Sequence, residues 1–96
     1  MHKFQVTIYF TMDDTFMDKV PVHRDYINRL IQQNIIESYA VSMDIYRSWI
    51  LFNAATKKEV MAFLTKSPLF SYWKIEIDRL FVYDGITYRL PDVVLN

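Results

Sequence analysis

His23 is the residue of this chain best suited to acid–base chemistry. It follows Pro21 in the segment PVH, and the only other histidine of the 96-residue chain is His2. An unperturbed imidazole titrates close to neutral pH, so it can carry a proton as a general acid or base. We therefore interpret His23 as a candidate catalytic residue. The alternative is a packed histidine that bonds a backbone carbonyl, or one that lies in water at a rim.

A second set of candidates alternates with apolar residues along two predicted strands. Glu76 is the candidate catalytic carboxylate, and the candidate substrate-binding residues are Lys3, Gln5, Tyr9 and Lys74. Because successive side chains of a strand point to opposite faces, these residues share the face turned away from the apolar ones. The charged groups could hold a carbonyl or a carboxylate, and the others could position it. The simpler alternative is that this face is only hydrated.

The composition argues against several other kinds of site. The chain has no cysteine and balances 11 Lys and Arg against 11 Asp and Glu without a basic stripe, so neither a thiolate metal site nor a nucleic-acid partner is predicted. Its single glycine, Gly85, leaves no Gly-rich phosphate loop and no nucleophile elbow. The aspartates near His23 match no calcium-loop spacing. We expect no metal and no cofactor.

The same sequence predicts a cytoplasmic protein without a membrane partner. It contains no apolar run of about 18 residues, the length that a bilayer-spanning helix needs. The first ten residues, MHKFQVTIYF, alternate in polarity and include a lysine and a glutamine, unlike the apolar region of a signal peptide.

Hydrophobic periodicity predicts two helices and at least four strands. Pro21 suits the first position of a helix, a capping box at residues 56–59 begins the second helix, and Pro68 ends it. Apolar residues that alternate with polar ones indicate the strands. In chain order, we predict a strand at 4–10, a helix at 21–33, strands within 35–46 and at 48–54, a helix from 57, a strand at 73–83, and a short strand at 86–90 after a turn at 84–85.

This order is that of the ferredoxin-like α+β fold, β-α-β-β-α-β, a four-stranded antiparallel sheet with both helices on one face. We expect one domain over residues 1–96, with residues 86–96 as a C-terminal tail. No predicted element remains to cover the face of the sheet opposite the helices. The apolar run WILF in the strand at 48–54 nevertheless suits a strand that is covered on both faces. Aromatic residues, 17% of the chain, are enriched at interfaces, so we expect a homodimer whose sheets pack face to face around a ligand site.

The segment SPLFSYWKIEIDRL joins the second helix to the fourth strand. Because Pro68 stops the helix, we expect Leu69 and Phe70 to be buried at the joint. Here the sequence resembles the muconolactone isomerase family, whose members carry a similar Pro-Leu-Phe-x-Tyr joint before an Ile-Glu-Val-Asp type strand. The matching residues are Pro68, Leu69, Phe70, Tyr72, Ile75, Glu76, Ile77 and Asp78. The segments FQVTIYFTM, NRLIQQ and TKKEVMAFLTKSPLF fall in register with the same family.

The resemblance implies a dimeric α+β barrel, further assembly such as a decamer, and proton transfer next to the carbonyl of a small unsaturated lactone without metal or cofactor. The segment PVH is also similar to the Pro-x-His of YCII-related proteins, which places a candidate catalytic histidine at His23. Those proteins have Asp where this chain has Ser67, and the isomerases have Arg, His and Trp where it has ESYAVSMDIY. The implied function is an isomerase-like enzyme of unspecified substrate. The alternative is a non-catalytic small-molecule-binding or assembly module.

Overall fold

The computed structural model describes residues 1–84. They form the predicted strand-helix-strand-strand-helix-strand order, with a one-turn 3₁₀ helix before the last strand. The elements are β1 (His2–Phe10), α1 (Phe16–Gln32), β2 (Ile36–Ser42), β3 (Arg47–Ala54), α2 (Lys57–Leu64), the 3₁₀ turn (Phe70–Tyr72) and β4 (Trp73–Arg79). The predicted fifth strand and C-terminal tail lie outside the described residues.

The four strands form one antiparallel sheet in the order β2-β3-β1-β4. Alternate residues of β1, from Phe4 to Phe10, are buried in a core that the sheet shares with α1 and α2. The intervening residues of β1 face the opposite side, which we call the open face. The expected ferredoxin-like fold is therefore confirmed, with both helices packed on the same side of the sheet.

The first helix begins five residues before the predicted start. Phe16 is buried and stacks on Phe10 at a ring distance of 5.5 Å, so the core reaches back to this residue. Asp13 accepts a hydrogen bond from the backbone N–H of Thr15, at 2.9 Å, just before the helix. Pro21 thus lies inside α1 rather than at its first position. The consequence for the site is that His23 occupies the third turn of the helix and not its end.

The turn between β2 and β3 lacks glycine but still needs a left-handed residue. Tyr46 supplies it with φ 51°. A non-glycine residue in this region is strained by about 1 kcal/mol or more, so the surrounding contacts must hold it. The carbonyl of Tyr46 accepts the N–H of Phe10 at 3.1 Å, and the two rings lie 5.8 Å apart. The turn is therefore fastened to the end of β1.

The joint after α2 is built as the sequence indicates, with one correction. Thr56 accepts the backbone N–H of Glu59 at 3.1 Å, and the Glu59 carboxylate accepts the N–H of Ala55 at 3.0 Å, which caps α2. Leu69 is buried as expected. Phe70, expected to be buried, is only half-buried, because the 3₁₀ turn that begins with it directs it to the edge of the core.

Among residues 1–84, no helix is both long enough and apolar enough to cross a bilayer.

Candidate functional site

His23 lies on the buried side of α1, with 2% of its surface exposed. Its Nδ1 is 2.7 Å from the Ser67 hydroxyl, and its Nε2 is 2.9 Å from the Tyr39 hydroxyl. The imidazole also meets the Trp73 ring edge-on at 5.5 Å. Three elements thus converge on His23: β2, the loop after α2, and β4. His23 is therefore packed, as one alternative expects, but its partners are side-chain hydroxyls rather than a backbone carbonyl, and it does not lie at an exposed rim.

The hydrogen bonds around His23 form a relay of side chains. The Leu69 N–H donates to the Ser67 hydroxyl oxygen at 3.1 Å, so the Ser67 O–H is free to donate to Nδ1. In that case Nε2 carries the ring proton and donates to Tyr39. Every polar group from Leu69 to Tyr39 is then satisfied, which is the arrangement that buried polar groups require. Because hydroxyls both donate and accept, the reversed tautomer also keeps two partners for His23.

The surroundings keep both ionisable members of the relay uncharged at neutral pH. Burial, aided by the nearby positive charge of Arg24, lowers the pKa of His23 to about 4. Burial also raises the pKa of the Tyr39 phenol, an effect that Arg24 and a side-chain hydrogen bond with Ser48 oppose. At pH 7 the site therefore presents a neutral imidazole and a protonated phenol.

A cavity of about 260 Å³ opens beside this relay, between α1 and the helix-side face of the sheet. Its buried or half-buried polar groups belong to His23, Tyr39 and Ser48, and most of the remaining wall is apolar. The lining residues are Phe10, Phe16, Met17, Val20, His23, Arg24, Tyr39, Val41, Met43, Ser48, Leu69 and Trp73. An apolar pocket with a few convergent polar groups is the usual form of a small-molecule site.

The remaining candidates lie on the open face of the sheet. Tyr9 donates to the Glu76 carboxylate at 3.2 Å, and the Arg47 guanidinium lies over the Tyr9 ring at 4.7 Å. Lys74 pairs with Tyr9 across β1 and β4, while Gln5 pairs with Asp78. These polar residues form a surface, exposed or half-buried, that no described element covers.

Lys3 stands at the other end of the open face, where it secures strand β2. Its ammonium group donates to Glu37 at 2.9 Å and to Asn53 at 2.7 Å. These contacts lie beside the irregular pairing of β2 with β3 between Ile36 and Ser38. The Lys3–Glu37 pair lowers the pKa of the Glu37 carboxyl through its hydrogen bond. The geometry fits a cross-strand clamp.

The structure does not bring the two predicted catalytic residues together. His23 packs on the helix side, whereas Glu76 alternates with the inward-facing Ile75 and Ile77 and so points to the open face. The sheet separates them, because its strands pair without a gap between β1 and β4. His23 and the open-face candidates therefore lie on two separate surfaces of the sheet.

Sequence reasoning missed the residues that contact His23. Tyr39 was visible as an inward member of the alternating β2 pattern, but nothing in that pattern distinguishes a ligand-facing phenol from a core residue. Ser67 was visible only as the residue before Pro68. Both partners are distant in sequence, 16 and 44 residues from His23, so spacing carries no signal for them.

Solved structures share this fold. A crystal structure of muconolactone isomerase is 19% identical, with a TM-score of 0.69, over 86% of this chain and 92% of that one. The 5-chloro-2-hydroxyhydroquinone dehydrochlorinase of Burkholderia phenoliruptrix, in complex with 2,5-dihydroxybenzoquinone, is 14% identical, with a TM-score of 0.65, over 88% of this chain and 97% of that one. No protein-family model matches the sequence, and no curated protein matches it significantly. The chain therefore has the fold of these two proteins.

Proposed function

We propose that this protein is an isomerase-like enzyme that binds a small unsaturated ring compound in the cavity beside α1 and moves a proton on it without metal or cofactor. The observation that carries the proposal is the neutral Ser67–His23–Tyr39 relay in the wall of an otherwise apolar cavity. A buried polar relay that ends at a cavity is placed to exchange hydrogen bonds with a ligand.

Tyr39 and His23 have complementary roles in this proposal. The protonated phenol of Tyr39 donates a hydrogen bond to a carbonyl oxygen of the ligand, which stabilises the negative charge that develops when the adjacent carbon loses a proton. A ligand that takes this hydrogen bond releases Nε2 of His23 from Tyr39. In the tautomer that donates from Nδ1 to Ser67, Nε2 is then a free acceptor for the proton.

The low pKa of His23, about 4, bears on this mechanism. It makes the imidazole a weak base in the empty site, since burial penalises the imidazolium. A developing negative charge on the ligand would offset that penalty, because an opposite charge nearby favours the protonated ring. The proton transfer is therefore coupled to the binding of a ligand that can form an enolate.

The fold supports the class of ligand. The two enzymes of the same fold act, by their names, on muconolactone and on a chlorinated hydroxyhydroquinone, both small oxygenated ring compounds. In the same proposal the protein is a cytoplasmic homodimer, in which the open faces of the two sheets pack together. Dimers of this kind could assemble further, for example into a decamer. The polar residues Lys3, Gln5, Tyr9, Lys74 and Glu76 would then lie between the two sheets and contact the ligand only if the site extends there.

Matched tyrosine variants test the proposal. Muconolactone and 2,5-dihydroxybenzoquinone are the probes, and hydrogen–deuterium exchange at the carbon next to a carbonyl of muconolactone is followed by NMR. We expect Tyr39→Phe to slow exchange about 10²–10⁴-fold, as loss of a general acid does. Tyr9→Phe, the control on the open face, should leave the rate unchanged. Loss of exchange in Tyr9→Phe alone would move the site to the open face.

A non-catalytic binding module is the second candidate, and one observation favours it. Both ring nitrogens of His23 already have partners, so the relay is stable without a ligand. In that case the wild type would bind 2,5-dihydroxybenzoquinone in calorimetry but exchange no deuterium into muconolactone. Tyr39→Phe would weaken binding without any change in an exchange rate.

A further inference from the structure

Arg24 is the charged residue of the cavity. Among the described residues that line it, Arg24 alone carries a formal charge at neutral pH. It follows His23 on α1, so the turn of the helix carries it from the buried side to the exposed rim. Within residues 1–84, no carboxylate lies within ion-pair distance of its guanidinium, and no other residue accepts a hydrogen bond from it.

Arg24 lines the same cavity as the relay residues His23 and Tyr39. His23 and Ser48 line the cavity as buried residues and Tyr39 as a half-buried one, whereas Arg24 is exposed and so marks the mouth. Most of the other lining residues, such as Phe16 and Trp73, are apolar. Burial lowers the pKa of His23 and raises that of Tyr39; the positive charge of Arg24 adds to the first shift and opposes the second, as expected of a cation near both groups. A ligand that fills the cavity would therefore meet a cation at one end and a phenol at the other.

We propose that Arg24 determines specificity by binding an anionic group of the ligand, so that the cavity selects small amphipathic organic anions over neutral compounds of the same shape. The ligand then lies with its anionic group at the mouth, its ring against the apolar wall and an oxygen at Tyr39. This inference rests on the proposed function, since it requires that the cavity binds a small ring compound.

The chemistry of the two ends supports this orientation. A guanidinium forms strong, paired hydrogen bonds with carboxylates, and it gains most where no protein carboxylate already satisfies it. The inner end offers only neutral groups, Tyr39, His23 and Ser48, in apolar surroundings, where a carboxylate would lose its hydration without a counter-charge. The anion is therefore stable at the mouth and not at the inner wall.

A pair of isosteric probes separates this inference from the proposed function. 4-Hydroxybenzoate and 4-hydroxybenzamide have nearly the same shape but differ in charge, and their affinities are measured by calorimetry at low and high salt. The variants are Arg24→Gln and, as the control, Arg29→Gln on the same helix, whose guanidinium lies over the Tyr26 ring 5.8 Å away and lines no part of the cavity.

We expect the wild type to bind the benzoate about tenfold more tightly than the amide, with a preference that falls at high salt. Arg24→Gln should abolish the preference and leave the affinity for the amide unchanged, while Arg29→Gln keeps both affinities. Equal binding of the two probes by the wild type would overturn the role of Arg24 and leave the proposed function standing. Binding of neither probe would overturn both.

Discussion

The two faces of the sheet carry the same kinds of residue in opposite settings. On the helix side, His23 and Tyr39 are enclosed, uncharged and bonded to each other. On the open face, Tyr9 and Glu76 also bond to each other, but Glu76 is exposed and its neighbours include Lys74 and Arg47. Burial changes the protonation chemistry of the first pair, whereas the second pair stays a surface contact. The proposed proton transfer is therefore assigned to the helix side.

The largest contrast is expected in stability. His23→Ala removes a fully buried side chain and leaves Ser67 and Tyr39 without their partner, so we expect a loss of about 3–4 kcal/mol in the free energy of unfolding. Glu76→Ala removes one exposed contact and should change it by less than about 0.5 kcal/mol. Urea denaturation of both variants, followed by circular dichroism at one protein concentration, measures the difference. Equal losses would mean that the two faces are not distinct.

This expectation replaces the one that the sequence alone suggests. With α1 beginning at Pro21, His23 would stand near a helix start and its removal would barely affect folding. The structure instead places it in the third turn and encloses it. A melting temperature that does not change in His23→Ala would support the sequence-based view and contradict the enclosed relay.

A pH dependence of stability should follow from the same burial. The pKa of His23 is about 4 in the folded chain against about 6.5 in the unfolded chain. The folded state excludes a proton that the unfolded state binds, so this contribution is complete above pH 6.5 and is lost as the pH falls from 6.5 towards 4. We expect a loss of about 2–3 kcal/mol over that range.

The control for the pH dependence is His23→Gln. It can still bond Ser67 or Tyr39 but cannot titrate, so the difference between the two stability curves isolates the histidine. We expect that difference to appear between pH 6.5 and 4. Parallel curves for wild type and variant would show that His23 titrates normally and is not enclosed.

A carboxylate in place of Ser67 should change the pKa of His23, an effect smaller than those on stability. An Asp at this position would lie against Nδ1, and an opposite charge at hydrogen-bond distance raises the pKa of a histidine by about 1–3 units. Ser67→Asp is therefore expected to raise the pKa of His23 from about 4, as measured by NMR titration of the imidazole. The control is Ser71→Asp, at an exposed position in the same segment, which should leave the pKa of His23 unchanged.

The smallest effect on the cavity is expected from changes on the open face. If two sheets pack face to face, the wild type should sediment as a dimer at micromolar concentration, with no dominant monomer. Trp49→Ala, which removes the largest apolar side chain that β3 presents beside Thr7, should weaken the dimer while the pKa of His23 stays the same. A wild type that sediments as a clean monomer would contradict the face-to-face dimer.

Local patterns in the sequence were sufficient for the fold. Alternation in β1, the capping box at Thr56 and the stop at Pro68 each act over a few residues, and the predicted element order follows from them. The helix start was wrong because Pro21 is tolerated inside α1, where the packing of Phe16 against Phe10 outweighs the preference of proline for the first position.

The site was less predictable than the fold. The chemistry of the imidazole and the segment PVH point to His23, but its partners come from β2 and from the loop after α2. Only the packed tertiary structure brings Ser67 and Tyr39 to opposite sides of one imidazole. Alternation predicted that these polar residues of β1 and β4 share one face, and they do: Lys3, Gln5, Tyr9, Lys74 and Glu76. His23 lies on the other side of the sheet, with α1.

The position of a bound ligand decides between the helix side of the sheet and the open face. Crystals of the wild type soaked with 4-hydroxybenzoate would show which face of the sheet the compound contacts. We expect density in the cavity beside α1, with one oxygen about 3 Å from the Tyr39 hydroxyl, the distance of a hydrogen bond, and the carboxylate at Arg24. Density over Lys74 and Glu76 on the open face, with the cavity beside His23 empty, would contradict it.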